Sequence, residues 1–166
     1  EQNEVPRRAL LAAAASIPAV LAAGAARAQT NGRAPVSNRK VALVTGSSRG
    51  IGAATARRLA RDGFAVTVNC VMNRDLAAAV VKEIGAAGGR AIWVQADVSD
   101  PGAVRRLFDE NERAFGGIDV VVSNAGIMRL APFRDMSDAD FARMVDVNQK
   151  GSFFVLREAA RRVRDG

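Results

Sequence analysis

The sequence predicts an α/β fold, a doubly wound parallel sheet of about four strands with helices on both faces. Three observations carry that prediction. Short continuous apolar runs alternate with longer amphipathic stretches, the first run enters a turn with glycines at 46, 50 and 52, and glycines or capping residues bound the helical stretches. Alternating strands and helices of this length imply right-handed crossovers, which make the strands parallel.

The first run, Val41-Ala42-Leu43-Val44, has no polar member, as a parallel strand covered on both faces requires. An Ala- and Arg-rich helix follows the glycine turn to about Asp62. Phe64 to Cys70 is the second apolar run, Leu76 to Ile84 a helix ending in Gly85 and Gly88-Gly89, and Ala91 to Val94 the third strand. Asp100 as N-cap with Pro101 at the first helical position opens the next helix. Its Val104, Leu107, Phe108 and Phe115 share one stripe, and Gly116-Gly117 stops it. Val120-Val121-Val122 makes a fourth strand. Ser137 with Asp140 three residues on resembles a capping box for the stretch carrying Phe141, Met144 and Val145. A last helix, from about Gly151 to Arg164, sets Phe154, Val155, Ala159 and Val163 apart from its arginines.

Residues 1–28 read as a leader. Arg7-Arg8 precedes eighteen uncharged residues, Ala9 to Ala26, and Ala26-Arg27-Ala28 closes them: a basic region, an apolar core and small residues where a signal peptidase cuts. The run resembles a twin-arginine export signal, so the expectation is an exported protein, in the bacterial periplasm, or a cytoplasmic one where the leader does not function. Residues 29–38, rich in Asn, Gly, Ser and Pro, read as a linker, and 39–166 as the folded domain.

Composition excludes several chemistries. The 166 residues contain no His, no Tyr and one Cys, Cys70, so a Ser-His-Asp triad, a His-ligated metal, an internal disulfide and a multi-thiolate zinc site are ruled out. No metal is expected. A net charge of +7 would suit nucleic acid, but the arginines fall in separate helical segments without interleaved aromatics, so solvated helix faces are expected and nucleic acid is not.

The strongest site is the turn after the first strand. Gly46 permits a sharp turn, Gly50 lets the backbone approach a pyrophosphate, and Gly52 lets helix and strand pack closely. The helix start offers free N–H groups and a partial positive charge to that pyrophosphate. A carboxylate about 20 residues beyond the glycines would bind a ribose 2′-hydroxyl and repel a 2′-phosphate. Val66 through Asn73 contains neither Asp nor Glu, Arg49 supplies a cation, Asn69 can donate a hydrogen bond and Arg74 lies nearby. NADP is therefore the expected cofactor, with NAD as the alternative.

With Asp97-Val98 after the third strand, Asn124-Ala125-Gly126 after the fourth and Asn148 in the following helix, the chain from about Lys40 to Gly166 resembles the short-chain dehydrogenase/reductase family. The resemblance implies a Rossmann-type fold and a dinucleotide held by Gly46, Ser47, Ser48, Arg49, Gly50, Ile51 and Gly52. It implies further that Asp97 binds the adenine amino group, that the Val98 backbone meets the ring, and that Asn124, Ala125 and Gly126 line the ribose. Asn148 would hold a water in a proton relay, and the last helix would lie at a subunit interface of a homo-oligomeric parent enzyme. Ser123 stands where the family usually has Asn, and Met72 about where NADP-preferring relatives place a basic residue.

The family's chemistry is hydride transfer between nicotinamide and a small carbonyl or alcohol substrate, with a Tyr acid/base, a Lys four residues later and a polarising Ser. This chain has no Tyr, its last Lys is Lys150, and Ser152 follows Asn148 on a helix. Two readings stay open: the cofactor-binding N-terminal portion of an NADP(H)-dependent oxidoreductase, truncated before its catalytic residues, or a dinucleotide-binding or interaction module without chemistry.

Overall fold

A computed structural model describes residues 40–165 of the chain. The leader and the linker lie outside the described residues. Four strands, β1 (Val41–Val44), β2 (Ala65–Cys70), β3 (Arg90–Gln95) and β4 (Val120–Val122), form one sheet in the order β3-β2-β1-β4, with every pairing parallel. The connecting helices are α1 (Gly50–Arg61), α2 (Arg74–Ala86) and α3 (Pro101–Phe115). After β4 come a single 3-10 turn (Phe133–Asp135), α4 (Asp138–Val145), a π-helical turn (Asp146–Gly151) and α5 (Ser152–Arg162).

β1 is central and sends successive side chains to opposite faces. Val44 joins Val66 and Val68 under Ala53 and Ala56 of α1 and Ala77, Val80 and Ile84 of α2. Leu43 faces the other way, into Val104, Leu107 and Phe108 of α3 and Val155 and Ala159 of α5. The small alanines let α1 approach the sheet closely, while α3 fills its side with larger residues. Of the stripe expected on α3, Val104, Leu107 and Phe108 are fully buried and Phe115 is only half-buried.

The boundaries differ from the sequence reading for identifiable reasons. Phe64 is not in β2, because its N–H closes the turn after α1 on the Leu59 carbonyl. β3 runs one residue further at each end, since each of its residues from Arg90 to Gln95 has a partner on β2. α2 begins at Arg74 rather than Leu76 and lasts to Ala86. α5 stops at Arg162, where Val163 turns extended and pairs in parallel with Ile118.

Two polar features fasten the α3 side. Asn111, fully buried on α3, accepts a hydrogen bond from the Thr67 hydroxyl of β2 at 2.7 Å and donates to the Gly117 carbonyl at 3.0 Å. Asp119, just before β4, accepts from the Val41 N–H at 2.6 Å and from the Arg164 guanidinium at 2.5 and 3.1 Å. Burial pushes the Asp119 carboxyl up, but the Arg164 and Val41 hydrogen bonds and the charges of Arg164 and Lys40 outweigh it and hold the group below its usual range.

Asn111→Ala is expected to destabilise the fold by about 2–3 kcal/mol, because it strands a buried hydroxyl and a buried carbonyl. Urea denaturation checks it, and Thr67→Val combined with Asn111→Leu should recover part of the loss. A carboxylate whose pKa falls on folding adds stability above its unfolded value, about pH 4, and loses it as pH drops through the folded value. Melting curves between about pH 6 and pH 2 should therefore fall less steeply for Asp119→Asn than for the parent chain.

Candidate functional site

The carboxyl ends of all four strands open into one cleft of about 520 Å³, a size suited to a small-molecule site. Its walls come from the glycine turn (Gly46 and Ser48 to Gly52), the segment after β2 (Cys70 to Asn73), Asp97 and Val98 after β3, and Asn124 to Ile127 after β4. Arg143 and Val147 complete it. The cleft straddles β1 and β4, the point where the strand order reverses.

Thr45, the fully buried residue just after β1, ties the two sides together. Its hydroxyl oxygen accepts from the Asn124 and Ala125 N–H groups, both at 3.0 Å, and donates to the Val122 carbonyl at 3.4 Å. The Asn124 amide returns across the gap, donating to the Thr45 carbonyl at 2.9 Å and the Gly46 carbonyl at 3.1 Å. Each glycine then has its own reason. A Cβ on Gly46 would stand 2.8 Å from the Ala125 Cα, and one on Gly52 only 2.5 Å from the Asn124 Nδ2 and 2.6 Å from the Gly46 carbonyl oxygen. Gly50 faces open space but has φ +57°, a conformation that side chains disfavour.

Ser48 is half-buried on the cleft, and Arg49, Gly50 and Ile51 are exposed there. Ser47 is turned inward. Its hydroxyl donates to the Val44 carbonyl at 2.6 Å and accepts the Asn69 N–H at 3.0 Å, so it braces the turn and leaves ligand contact to its neighbours.

Asn69 requires a correction. Its side chain is buried and fully engaged: the oxygen accepts the Gly46 N–H at 3.0 Å, and the nitrogen donates to the Ala96 and Val94 carbonyls at 3.0 and 3.3 Å. No donor remains for a nucleotide. A polar residue on a strand covered on both faces satisfies itself within the protein, and here it supports the turn from beneath.

Asp97 is half-buried and bonded to Ser99 and Arg143. Burial pushes its carboxyl up, but hydrogen bonds from the Ser99 hydroxyl, the Ser99 N–H and Arg143, with the Arg143 charge, hold it below the usual range. The Val98 side chain is buried against Gly151, where a Cβ would come within 2.7 Å of it. Asn148, in the π-helical turn, binds Ile127 twice, accepting its N–H and donating to its carbonyl, both at 2.9 Å. The Asn148 carbonyl accepts the Ser152 hydroxyl at 2.7 Å. Its amide is thus committed to the segment after β4, and a water would have to meet the main-chain carbonyl beside Ser152.

Sequence reasoning missed Arg143 as part of the cleft and Thr45 as its tie. Thr45 had a signal, a hydroxyl where an apolar strand enters the turn. Arg143 had none, because its partner lies 46 residues away.

The short chain dehydrogenase family model matches residues 40–166. This chain belongs to the short-chain dehydrogenase family. Curated relatives include a versicolorin reductase of Emericella nidulans, 49% identical over 127 residues that make up 76% of this chain and 48% of the relative. Elsinochrome reductase 1 of Elsinoe fawcettii is 45% identical over the same shares of the two chains. The chain thus spans about half the length of these curated relatives. Among solved structures, a dehydrogenase/reductase from Sinorhizobium meliloti superposes with TM-score 0.74 at 44% identity, over 78% of this chain and 52% of the other. A short-chain dehydrogenase from Burkholderia cenocepacia in complex with NADP gives 0.73 at 45%, over 76% and 51%. The Rossmann-like parallel sheet and membership of an oxidoreductase family that binds nicotinamide dinucleotides follow.

Gly52→Ala is expected to abolish dinucleotide binding and to destabilise the fold by about 2–4 kcal/mol, since its Cβ meets backbone and a committed amide. Gly50→Ala should cost only about 1–2 kcal/mol, the price of a left-handed residue in open space. Paired urea melts and fluorescence titrations with NADPH separate the two.

Proposed function

We propose that this chain is the cofactor-binding portion of an NADP(H)-dependent oxidoreductase acting on a carbonyl or alcohol, and that the 166 residues by themselves bind cofactor without turnover. The observation that carries the reading is the stitched turn, in which Gly46 and Gly52 have no room for a Cβ. The residues fit a nicotinamide dinucleotide: Gly50 leaves the start of α1 open to a pyrophosphate, and Asp97 presents an ionised carboxylate on the wall of the same cleft. When bound, the nicotinamide supplies or takes the hydride.

Ser48 borders the pyrophosphate and Arg49 meets the 2′-phosphate, Asp97 and the Val98 backbone meet the adenine, and Asn124 to Gly126 border the ribose. NADP is favoured because residues 66–73 carry no carboxylate and Arg49 stands exposed on the cleft. The NADP complex of the Burkholderia relative supports the same choice. Absence of turnover is proposed from the chemistry of the 166 residues, which contain neither Tyr nor His to exchange the alcohol proton near neutral pH. Asn148 orders the segment after β4 toward the nicotinamide end. The parent enzyme is proposed to be a homo-oligomer. Export is proposed from the Arg7-Arg8 leader alone, and a protein that folds around its nucleotide suits a twin-arginine route.

Purified chain titrated with NADPH should show saturable nicotinamide fluorescence and no carbonyl-dependent loss of absorbance. Measurable reduction of any carbonyl would overturn the second half of the reading, and failure to bind would overturn the first. Arg49→Ala should weaken NADPH about tenfold or more, the value of a charge-assisted phosphate contact, and change NADH binding less than about twofold.

A further inference from the structure

Asp97, beyond β3, and Arg143, on α4, close a ring of hydrogen bonds with Ser99 on the cleft wall. Arg143 Nη2 donates to Asp97 Oδ2 at 2.7 Å, Arg143 Nη1 donates to the Ser99 hydroxyl at 2.7 Å, and that hydroxyl donates to Asp97 Oδ1 at 2.7 Å. The Ser99 N–H adds a bond to Oδ1 at 2.9 Å. An ionised carboxylate offers about four acceptor directions, two on each oxygen. Both directions on Oδ1 and one on Oδ2 are filled. The remaining direction belongs to Oδ2, the oxygen that Arg143 holds.

Stability alone gives this ring little reason to exist. Arg143 and Asp97 side chains are 45% and 32% exposed, a setting in which an ion pair contributes on the order of 0–1 kcal/mol. What the ring does fix is direction. A guanidinium is a planar fork that engages carboxylate and hydroxyl together, so the carboxylate cannot rotate without breaking its bonds to both Arg143 and Ser99. Adenine presents an amino donor to such an acceptor, whereas hypoxanthine presents a carbonyl oxygen at the same ring position, which the carboxylate repels.

We propose that Arg143 is the positioning residue that aims Asp97 at the adenine of the bound dinucleotide, so that preference for adenine over hypoxanthine passes through this arginine. The inference rests on the assignment of Asp97 to the adenine given above. It places a specificity device on α4, outside the strand-end loops that form most of the cleft.

The test titrates the full 166-residue chain with NADPH and with its hypoxanthine counterpart, following nicotinamide fluorescence. The parent chain should bind the adenine form about tenfold more tightly, the value of one hydrogen bond to a charged group. Arg143→Gln should reduce that preference to about twofold or less, mainly by weakening the adenine form, and Arg143→Lys, which keeps the charge without the fork, should fall between. An Arg143→Gln chain that keeps the full preference, or that loses both ligands equally, overturns the proposal while leaving the Asp97 assignment standing. Equal binding of both ligands by the parent chain and by Asp97→Ala overturns the assignment itself, and the proposal with it. Circular dichroism establishes whether Arg143→Gln folds. If it does not, Ser99→Ala, which opens the ring at the hydroxyl, decides in its place: a reduced preference supports the proposal and an unchanged one overturns it.

Discussion

A parallel sheet ends with every strand pointing the same way, so its carboxyl edge collects loops whose backbone groups have lost their ladder partners. In this chain one hydroxyl resolves the conflict where it is sharpest. Thr45 takes the N–H groups of Asn124 and Ala125, and Asn124 repays the Thr45 and Gly46 carbonyls. Two loops nearly 80 residues apart in sequence are thereby joined across the point where the strand order reverses. The glycine turn has its shape because it must pass within van der Waals contact of this tie.

A second support lies below. Asn69 and Ser47 exchange backbone and side-chain hydrogen bonds, and the Asn69 amide continues to the carbonyls of Val94 and Ala96. The turn is therefore held from β4 on one side and from β2 and β3 on the other. Rigidity of this kind matters for a binding loop, because backbone N–H groups already aimed at a ligand lose little freedom when it arrives. The α1 side of the sheet serves the same end, with alanines that draw the helix close enough for its first turn to share the site.

Much of this was legible in the residues. Val41 to Val44 reads as a strand covered on both faces because nothing polar interrupts it, and the spacing of Gly46, Gly50 and Gly52 marks the turn that follows. That the strands run parallel followed from the crossover rule, while their order became visible only in the folded sheet. What the residues could not reveal were directions. Asn69 is polar on a mainly apolar strand, and whether its amide turns to the cleft or to the interior depends on carbonyls in and just after β3 that only the folded sheet brings near. Likewise the π-helical turn at Asn148 has no local marker. It coincides with a side chain pinned to Ile127, a tertiary contact that helix propensity does not encode.

Val163 and Ile118 form a single parallel rung just ahead of β4, and the Arg164 guanidinium lies across Asp119 beside it, 45 residues away in the chain. Closing so large a loop carries an entropic cost, and the packing of α5 in one core with α3 helps to offset it. Helix α5 shares one core with Phe108 and carries Val163 to the rung, so this outer seam is only as firm as the seat of the helix that brings it. The central strand pair should exchange its amide hydrogens far more slowly than this outer seam, so the molecule is graded in permanence from its buried central strands to its margin.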